Sequence, residues 1–437
     1  MVFSFVNHKI NFISILLSLI PLSFIAGNPA INLNIILIVI YALIIDKKKI
    51  FQIKLLPVDK LIVIFFLASL LTILFNNVGG SHNLEQSDNN HIIIKTFLFL
   101  RYLIFYFALR YYFEKNQINL NLFFITSSIC VLFVCFDLFY QLSFGKDIFG
   151  YPIFHHKISG PFGEELIAGS YLQRFSLFLL ITTLYLVKFK NKFNKNFFLY
   201  FFSLIIFLTI IISGNRIPFL LFLFIVFSFL LINKNLRKFF LVILITIPFV
   251  LYLVAKNNER VFNNFHGLYD QLNNITYNYF FNKDKFNPRQ VPEQIYQFRS
   301  GIYTWYLNKT IGGGIKSFKF NCWDAHKKIN NTWSCDTHPH NYYLEVLAEL
   351  GLIGLLIVIL IFISLLMIFF KKIPKNIKLS YNYVVYQVFF LLLLAEFFPI
   401  KSSGSFFSTF NASYIFLMMA IFVSISKKVN KKWYLNK

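Results

Sequence analysis

The stretch that decides the fold class is residues 337–356, which read THPHNYYLEVLAELGLIGLL. His338 and His340 stand directly before an apolar run that extends over residues 344–370. A helix needs about 20 apolar residues to cross the roughly 30 Å hydrocarbon core of a bilayer. The run therefore predicts a transmembrane helix, and it places two titratable side chains at the mouth of that helix.

The composition extends this prediction to the whole chain. The 437 residues are 57% hydrophobic, and the mean hydropathy is +0.63, which excludes an ordinary soluble domain. Apolar runs of span length recur, and they predict an all-α polytopic membrane protein with about 12 transmembrane helices. Their approximate limits are 10–27, 28–45, 60–77, 92–112, 121–142, 168–187, 197–213, 217–233, 239–255, 344–370, 379–400 and 406–425.

The net charge is +24, and the positions of the positive residues agree with the topology that these spans predict. Lys and Arg cluster in short loops between apolar runs, such as Asp46–Lys49 and Lys188–Lys195, as the positive-inside rule expects of cytoplasmic loops. The loop Asn76–His91 contains neither Lys nor Arg, which suits the outside. Both termini are then predicted to be cytoplasmic, and no nucleic-acid partner is needed to explain the charge.

Two long connections lie on the predicted outside, at residues 143–167 and 256–343. Long connections without spans are usually functional. The predicted domains are a membrane domain over 1–255 with nine helices, the large loop over 256–343, and a membrane domain over 344–437 with three helices. Cys322 and Cys335 lie in the large loop, and a cysteine pair that faces an oxidising compartment predicts a disulfide.

The histidines at the mouth of the span are candidate chemical groups. Pro339 suits the first turn of a helix, so His340 and Asn341 are expected in that turn, where unpaired N–H groups and the helix dipole attract anions. Such a position disfavours imidazolium and favours a neutral base. Ordinary interfacial histidines are the alternative. Gly351 and Gly354 permit close helix packing.

Arg216 is a candidate anion ligand. It lies in IISGNRIPF, residues 211–219, between two apolar runs with almost no loop, and on the side where the positive-inside rule does not place it. A guanidinium fork fits phosphate oxygens, and snorkelling to lipid headgroups is the alternative. Further cations on the predicted outside are Arg260 and Lys316, for which a solvated surface role is the alternative. Arg299 precedes an aromatic segment of the large loop that reads as a helix.

The first outside loop carries further polar residues. In SGPFGEELIAGSYLQRF, residues 159–175, Glu164 and Glu165 are expected at the N-terminus of the next span, where acids are favourable. Arg174 is expected about two turns into that span, facing a cavity or a carboxylate. The His155–His156 and His338–His340 pairs lack the accompanying carboxylates of a metal site, so no metal is predicted.

These motifs resemble those of the O-antigen ligase family. His340–Asn341, nine residues and then Gly351-x-x-Gly354 are similar to the signature that follows the family's large periplasmic loop. Glu164–Glu165 depart from the Asn-Pro-Asn-like residues of many members. The other similar motifs are Ser213–Arg216 between two spans, Arg299 with Trp305 and Gly312–Gly314 in the large loop, and Ser159–Gly163 in the first loop.

The resemblance implies a GT-C-like, metal-independent, inverting glycosyltransferase without a cofactor, in the bacterial inner membrane with its active site facing the periplasm. Its donor would be a glycan on undecaprenyl diphosphate and its acceptor lipid A–core. A polymerase that joins lipid-linked repeat units, or a protein O-oligosaccharyltransferase, would use the same kind of site. A transporter of polysaccharide or lipid is the alternative outside enzymes, and it predicts inverted repeats and midplane charges.

Chemistry assigns roles within that reaction. Arg216 and Arg299 would stabilise the diphosphate as it leaves. His340 would take the proton of the acceptor hydroxyl as general base. The predicted substrate-binding residues are His338, Asn341, Arg260, Arg174 and Glu165.

Overall fold

The protein is helical almost throughout the part of the chain that the computed structural model describes, namely residues 2–3, 11–79, 86–154, 157–232, 237–329, 335–371 and 381–427. Two short strands, β1 (Val2–Phe3) and β2 (Val187–Lys188), pair antiparallel with Val2 opposite Lys188. The helices are α1 Phe12–Ser18, α2 Ile20–Ala26, α3 Asn28–Ile45, α4 Pro57–Gly79, α5 Gln86–Phe99, α6 Arg101–Glu114, α7 Leu120–Phe144, α8 Ala168–Ile181, α9 Lys192–Ile212, α10 Arg216–Ile232, α11 Arg237–Asn257, α12 Glu259–Asn273, α13 Tyr279–Phe281, α14 Glu293–Trp305, α15 Phe318–Ile329, α16 Tyr342–Lys371, α17 Tyr381–Glu396 and α18 Thr409–Ser426. Single 3-10 turns cover Lys47–Phe51, Gly160–Phe162, Lys283–Lys285 and Pro288–Gln290, and π-helical turns cover Thr182–Leu186 and Asn274–Asn278.

Within the described ranges, eight helical segments are long and apolar enough to cross a membrane: α3, α4, the α5–α6 pair, α7, α9, α11, α16 and α18. Arg216–Phe229 and Tyr381–Glu396 are shorter apolar helices. Since a bilayer core admits a spanning chain only as helices or closed barrels, the all-α polytopic class is confirmed. The count of about 12 spans stays a prediction.

Interrupted helices occur in several of the predicted spans, including 10–27 and 168–187. The run 10–27 forms two helices of seven residues each, α1 and α2, that meet at Leu19. Pro21 lies at the start of α2, where its missing N–H costs nothing, whereas it would interrupt a continuous helix. The run 168–187 forms the 14-residue α8 followed by the π-helical turn Thr182–Leu186. Hydropathy reports the apolar length of a run, and it is silent about such local breaks.

The chain divides into two compact units. Unit 1 contains Met1–Asn34, Asn116–Gln290 and Lys378–Ala395. Unit 2 contains Ile35–Lys115, Val291–Ile377 and Glu396–Lys437.

The core of unit 1 forms where α7 packs on α8. The rings of Phe124 and Phe178 stack there with centroids 5.4 Å apart. The Ser128 hydroxyl donates to Thr182 Oγ1 at 2.8 Å, so a polar pair is satisfied inside an apolar layer. Cys130 and Cys135 are buried in α7 as free thiols, in agreement with the packing role that their apolar surroundings favour.

The core of unit 2 forms around α18, whose residues from Asn411 to Ser426 are all buried. Tyr102 of α6 stacks on Phe416 with ring centroids 5.9 Å apart. Arg110 of α6 binds Asp59 of α4 through two parallel contacts of 3.0 and 3.1 Å, with both side chains fully buried. A charge in such a position needs a partner, and the bidentate geometry supplies it.

Candidate functional site

The site in unit 2 begins with a break in α16. Gly351 has φ +66° and ψ −166°, a region that is essentially restricted to glycine. The glycine turn Gly312–Gly314 lies against the break, where Gly313 N–H donates to Ala348 O at 3.3 Å and Gly314 N–H donates to Glu349 O at 2.7 Å. In the other direction, Leu352 and Ile353 donate to the carbonyls of Lys309 and Thr310 at 2.9 and 3.2 Å. The turn therefore satisfies the backbone groups that the break leaves unpaired.

The fit between turn and break leaves no room for side chains. A Cβ added to Gly351 would lie 2.3 Å from Thr310 O, and one added to Gly312 would lie 2.4 Å from the carbonyl carbon of Glu349. The sequence predicted that Gly351 serves close helix packing. Gly351 does permit a close approach, but the segment it contacts is the backbone of a loop at Thr310 and Ile311 and not a second helix.

His340 and Asn341 lie before α16 and not in its first turn, which corrects the prediction. Asn341 caps the helix: its Oδ1 accepts from Tyr343 and Leu344 N–H at 3.0 and 3.2 Å. Its Nδ2 donates to the carbonyls of Pro399 and Lys401 at 2.8 and 3.2 Å. Asn341 therefore joins the start of α16 to the segment before α18, a positioning role that its prediction as a substrate ligand did not include.

His340 has a left-handed backbone, with φ +54°. Ser403 N–H donates to the His340 carbonyl at 2.8 Å. A non-glycine residue in this region is uncommon and frequently belongs to a functional site. The conformation turns the chain back, and it brings the His340 ring to Asp336, four residues earlier.

Asp336 and His340 form the central pair of the site. His340 Nε2 lies 2.8 Å from Asp336 Oδ2, and Gln297 of α14 donates to the same oxygen at 3.3 Å. Partial burial raises the pKa of Asp336, but hydrogen bonds from His340 and Thr337 N–H outweigh burial and lower this pKa. The ionised carboxylate accepts hydrogen bonds only, so His340 Nε2 is the donor in this contact, and in the neutral imidazole the lone pair is then on Nδ1. Asp336 was not among the residues predicted from the sequence, and the Asp-x-x-x-His spacing was its signal.

His338 packs on this pair. Its ring centroid is 4.1 Å from that of His340, and Thr337 Oγ1 lies 2.9 Å from its Nδ1. Burial, followed by electrostatic interactions with His340 and Lys316, lowers the pKa of His338 to about 4. His338 is therefore neutral at neutral pH, and it supports the ring of His340 on one face.

Acidification is expected to destabilise the protein through His338. Its folded pKa of about 4 lies below the ordinary value of 6.5, so the unfolded chain takes up the proton first as pH falls. The stability is fully present above the ordinary pKa and is lost between the two values. We expect the melting temperature of wild type to fall further between about pH 7.5 and pH 4.5 than that of the His338→Gln protein. Equal losses in the two proteins would contradict this assignment.

Arg299 lies in the middle of α14, two residues beyond Gln297. Its side chain is exposed, and Nη2 donates to the Tyr303 hydroxyl at 3.3 Å. α14 packs on α16 through Gly301, where an added Cβ would lie 3.1 Å from Leu344 Cβ of α16 and 3.0 Å from Pro339 Cβ. Arg299 is thus on the same helix as Gln297, which donates a hydrogen bond to Asp336. At the end of this helix, Trp305 Nε1 donates to Lys309 O at 2.8 Å.

Two largely buried ion pairs of unit 2 join α16 and the segment before α18 to their neighbours. Lys316 contacts Ser405 Oγ and lies 3.6 Å from Glu345 Oε1. Glu345 accepts from Ser405 Oγ and Phe406 N–H at 2.5 Å each. Lys316 was predicted as an outside cation, but Glu345 was not predicted. A second pair, Lys401–Glu396 at 2.9 Å with Tyr342 OH donating to Glu396 at 2.7 Å, holds the segment that binds Asn341.

Cys322 and Cys335 are joined by a disulfide, with Cα atoms 5.9 Å apart, as the sequence predicted. Cys322 and Cys335 Sγ and a His326 ring nitrogen lie within 4.8 Å of one another. The two sulfurs are bonded to each other and cannot act as thiolate ligands, so this group does not fit a structural zinc site. His326 Nε2 lies 3.1 Å from Ser300 Oγ, which joins α15 to α14.

Arg216 lies in unit 1, at the start of α10. Its Nε donates to Asn264 Oδ1 at 2.6 Å and its Nη1 to Gln271 Oε1 at 3.0 Å. Both partners are neutral amides of α12, so they orient the guanidinium without neutralising it. The pKa of Lys157 is lowered by desolvation and then by the charge of Arg216, which places the two cations near each other. Arg216 therefore has two neutral hydrogen-bond acceptors and a second cation in its surroundings.

Arg260 lies beside this group, in the first turn of α12. It lines a small cavity together with Asn264 and Gly214 of the same unit. Asn264 Nδ2 donates to Gly214 O at 2.8 Å, which fixes the turn before Arg216. The structure thus places Arg216 and Arg260 in one part of unit 1.

The remaining predicted residues of unit 1 lie in α8 or in the loop before it. Glu164 and Glu165 are exposed and lie just before α8, which begins at Ala168. Arg174 is buried two turns into α8, as expected from its spacing. His155 and His156 lie outside the described residues.

The comparisons with known proteins agree with the motifs. Residues 201–359 match the family model of O-antigen ligase. The match includes Arg216, Arg299, the Asp336–His340 pair and the break at Gly351. No curated protein matches the chain. The match agrees with the resemblance seen in the motifs, and it supports an O-antigen ligase family assignment on the domain at residues 201–359.

Proposed function

We propose that the protein transfers a glycan from undecaprenyl diphosphate to lipid A–core at the periplasmic face of the inner membrane. The family domain supports a membrane glycosyltransferase of the O-antigen ligase or polymerase type. The observation that carries the finer proposal is the His340–Asp336 pair, 2.8 Å apart and placed at the mouth of a spanning helix. A base in that position meets a hydroxyl acceptor beside a lipid-borne donor.

His340 acts as the general base in this proposal. Asp336 accepts a hydrogen bond from the Nε2–H group of His340. Nδ1 is therefore the atom that receives the proton of the acceptor hydroxyl. The acceptor oxygen bonds to the anomeric carbon while the bond from that carbon to the diphosphate oxygen breaks, and the configuration inverts. The electron pair leaves with the diphosphate, which is stable as an anion, so the step requires no general acid.

Fixed cations stabilise the diphosphate as it leaves. Arg299 serves this role in unit 2, since it is exposed on the helix that binds Asp336 through Gln297. Arg216 is proposed as a diphosphate ligand from its own surroundings in unit 1, where two amide oxygens orient its fork. Charge stabilisation by guanidinium groups accounts for the reaction without a metal.

Arg216→Lys is expected to lower transfer at least about 10-fold, although the charge is conserved. Lysine offers a point charge and cannot hold two amide oxygens and a phosphate in one plane. Transfer is measured in cells that lack the gene and carry each variant at equal protein level. Arg289→Lys, on the exposed 3-10 turn Pro288–Gln290, is the matched control. Wild-type transfer by the Arg216→Lys protein would show that the planar guanidinium group is not required at this position.

The function is tested by deleting the gene and analysing surface glycan and lipid-linked intermediates. A ligase leaves long-chain glycan on undecaprenyl diphosphate, and only the wild-type gene removes it. Single repeat units in that pool would identify a polymerase. An unchanged pool would overturn the lipid A–core acceptor, and it would favour a protein acceptor or a transporter.

A further inference from the structure

The Cys322–Cys335 disulfide ends next to the proposed base pair. Cys335 directly precedes Asp336, and Cys322 is fully buried in α15. Cys322 belongs to a small core with Phe318 and with Ala348 of α16, and Cys335 packs against that core. The bond therefore fixes the residue before Asp336 to the packed helices of unit 2.

The other end of the same segment is fixed by Asn341. Its side chain caps α16 and binds the carbonyls of Pro399 and Lys401. Only residues 336–340 lie between the two anchors. Pro339 in this stretch is buried against α14 and has a fixed φ. The residues that carry the chemistry are thus a short bridge between a covalent anchor and a helix cap.

Asp336 depends on the covalent anchor because few groups outside its own segment hold it. Its side chain is 43% exposed. His340 and Thr337, which bind its carboxylate, belong to the same bridge, and Gln297 of α14 donates to it from 3.3 Å, a long hydrogen bond. Without the disulfide, an exposed carboxylate on a five-residue bridge would sample many positions.

We propose that the Cys322–Cys335 disulfide is a positioning element that holds Asp336 in register with His340, so that transfer depends on the oxidised state of this pair. The inference rests on the proposed function of His340 and Asp336. Loss of the bond frees one end of the bridge, and a displacement near 1 Å of a catalytic group costs up to about 10²-fold in rate.

The test uses the purified full-length protein and membranes of the deletion strain, which hold the accumulated lipid-linked glycan. The Cys322→Ala/Cys335→Ala protein is expected to lower the maximal rate about 10- to 100-fold, with a smaller change in the membrane concentration needed for half of that rate. Asp336→Asn alone is expected to lower the rate similarly. Combining all three substitutions should add little, because the disulfide acts through Asp336. Additive losses would show a general structural role and overturn the proposal.

Amide hydrogen exchange supplies a readout that does not need activity. Removal of the disulfide should speed exchange in residues 336–341, while residues 352–371 beyond the break in α16 stay protected. Unchanged exchange in residues 336–341 would contradict the proposal that the disulfide restrains this segment. If His340→Ala proves fully active, the proposed function fails, and the exchange result still decides whether the disulfide holds the segment.

A reductant tests the same bond without mutation. A phosphine reductant should lower the rate of wild type and leave the Cys322→Ala/Cys335→Ala protein unchanged. The Cys130→Ala/Cys135→Ala protein should respond as wild type does, since these free thiols lie in unit 1. A reductant effect that persists without Cys322 and Cys335 would contradict the proposal.

Discussion

His340→Ala is expected to lower glycan transfer by about 10²–10⁴-fold, the range that general-base catalysis contributes. The imidazole lies at the mouth of α16, and its Nε2 is occupied by Asp336 at 2.8 Å. The remaining nitrogen is the one that can take the acceptor proton, and alanine has no replacement for it. Protein level should be normal, because the His340 ring is partly exposed and its loss creates no closed cavity. The measurement is surface glycan and lipid-linked glycan in the complemented deletion strain.

The chain offers a matched control for this substitution. His266 Nδ1 lies 2.9 Å from Asp270 Oδ2, also at a spacing of four residues, on the exposed side of α12. His266→Ala removes a similar His–Asp pair and should leave transfer unchanged. Equal activity of His340→Ala and wild type would exclude the general-base role. Equal loss in both alanine variants would attribute the effect to stability.

The local part of the fold could be predicted from the sequence. Apolar runs of span length predicted the eight long helices because hydropathy is a property of consecutive residues. Hydropathy does not detect a break such as the one at Leu19, since the apolar run continues across it. The disulfide pairing followed from two cysteines in one loop, while its position beside Asp336 acquires meaning only with the folded segment.

The site could be predicted in part. His340 and Asn341 were found from their place before an apolar run. Asp336 was not, because its contact with His340 depends on the left-handed φ of His340, which no composition reveals. The Glu345–Lys316 pair was missed for another reason: the two residues are 29 positions apart in sequence, and the glycine turn and α16 bring them to 3.6 Å.

Gly351→Ala is expected to have the largest effect on stability. The backbone at Gly351 has φ +66° and ψ −166°, which costs a non-glycine residue about 1–3 kcal/mol. The new Cβ would also lie 2.3 Å from Thr310 O, which forces the glycine turn away from the break. That movement breaks the hydrogen bonds that Leu352 and Ile353 donate to the carbonyls of Lys309 and Thr310, just before the turn. We expect a melting temperature lowered by about 10 °C or more, measured on the detergent-solubilised protein.

Gly150→Ala separates the two causes of this loss. Gly150 also has a positive φ, +91°, but a Cβ there would meet no atom within 4 Å. It therefore reports the cost of the backbone conformation alone, whereas Gly351→Ala adds the collision with the turn. A loss at Gly351 well beyond that at Gly150 would show that the fit between turn and break holds this part of unit 2. Equal losses would mean that the turn yields to a methyl group. In that case the glycine in the family signature serves the break in α16 only, and the turn is free to move against the helix that follows His340.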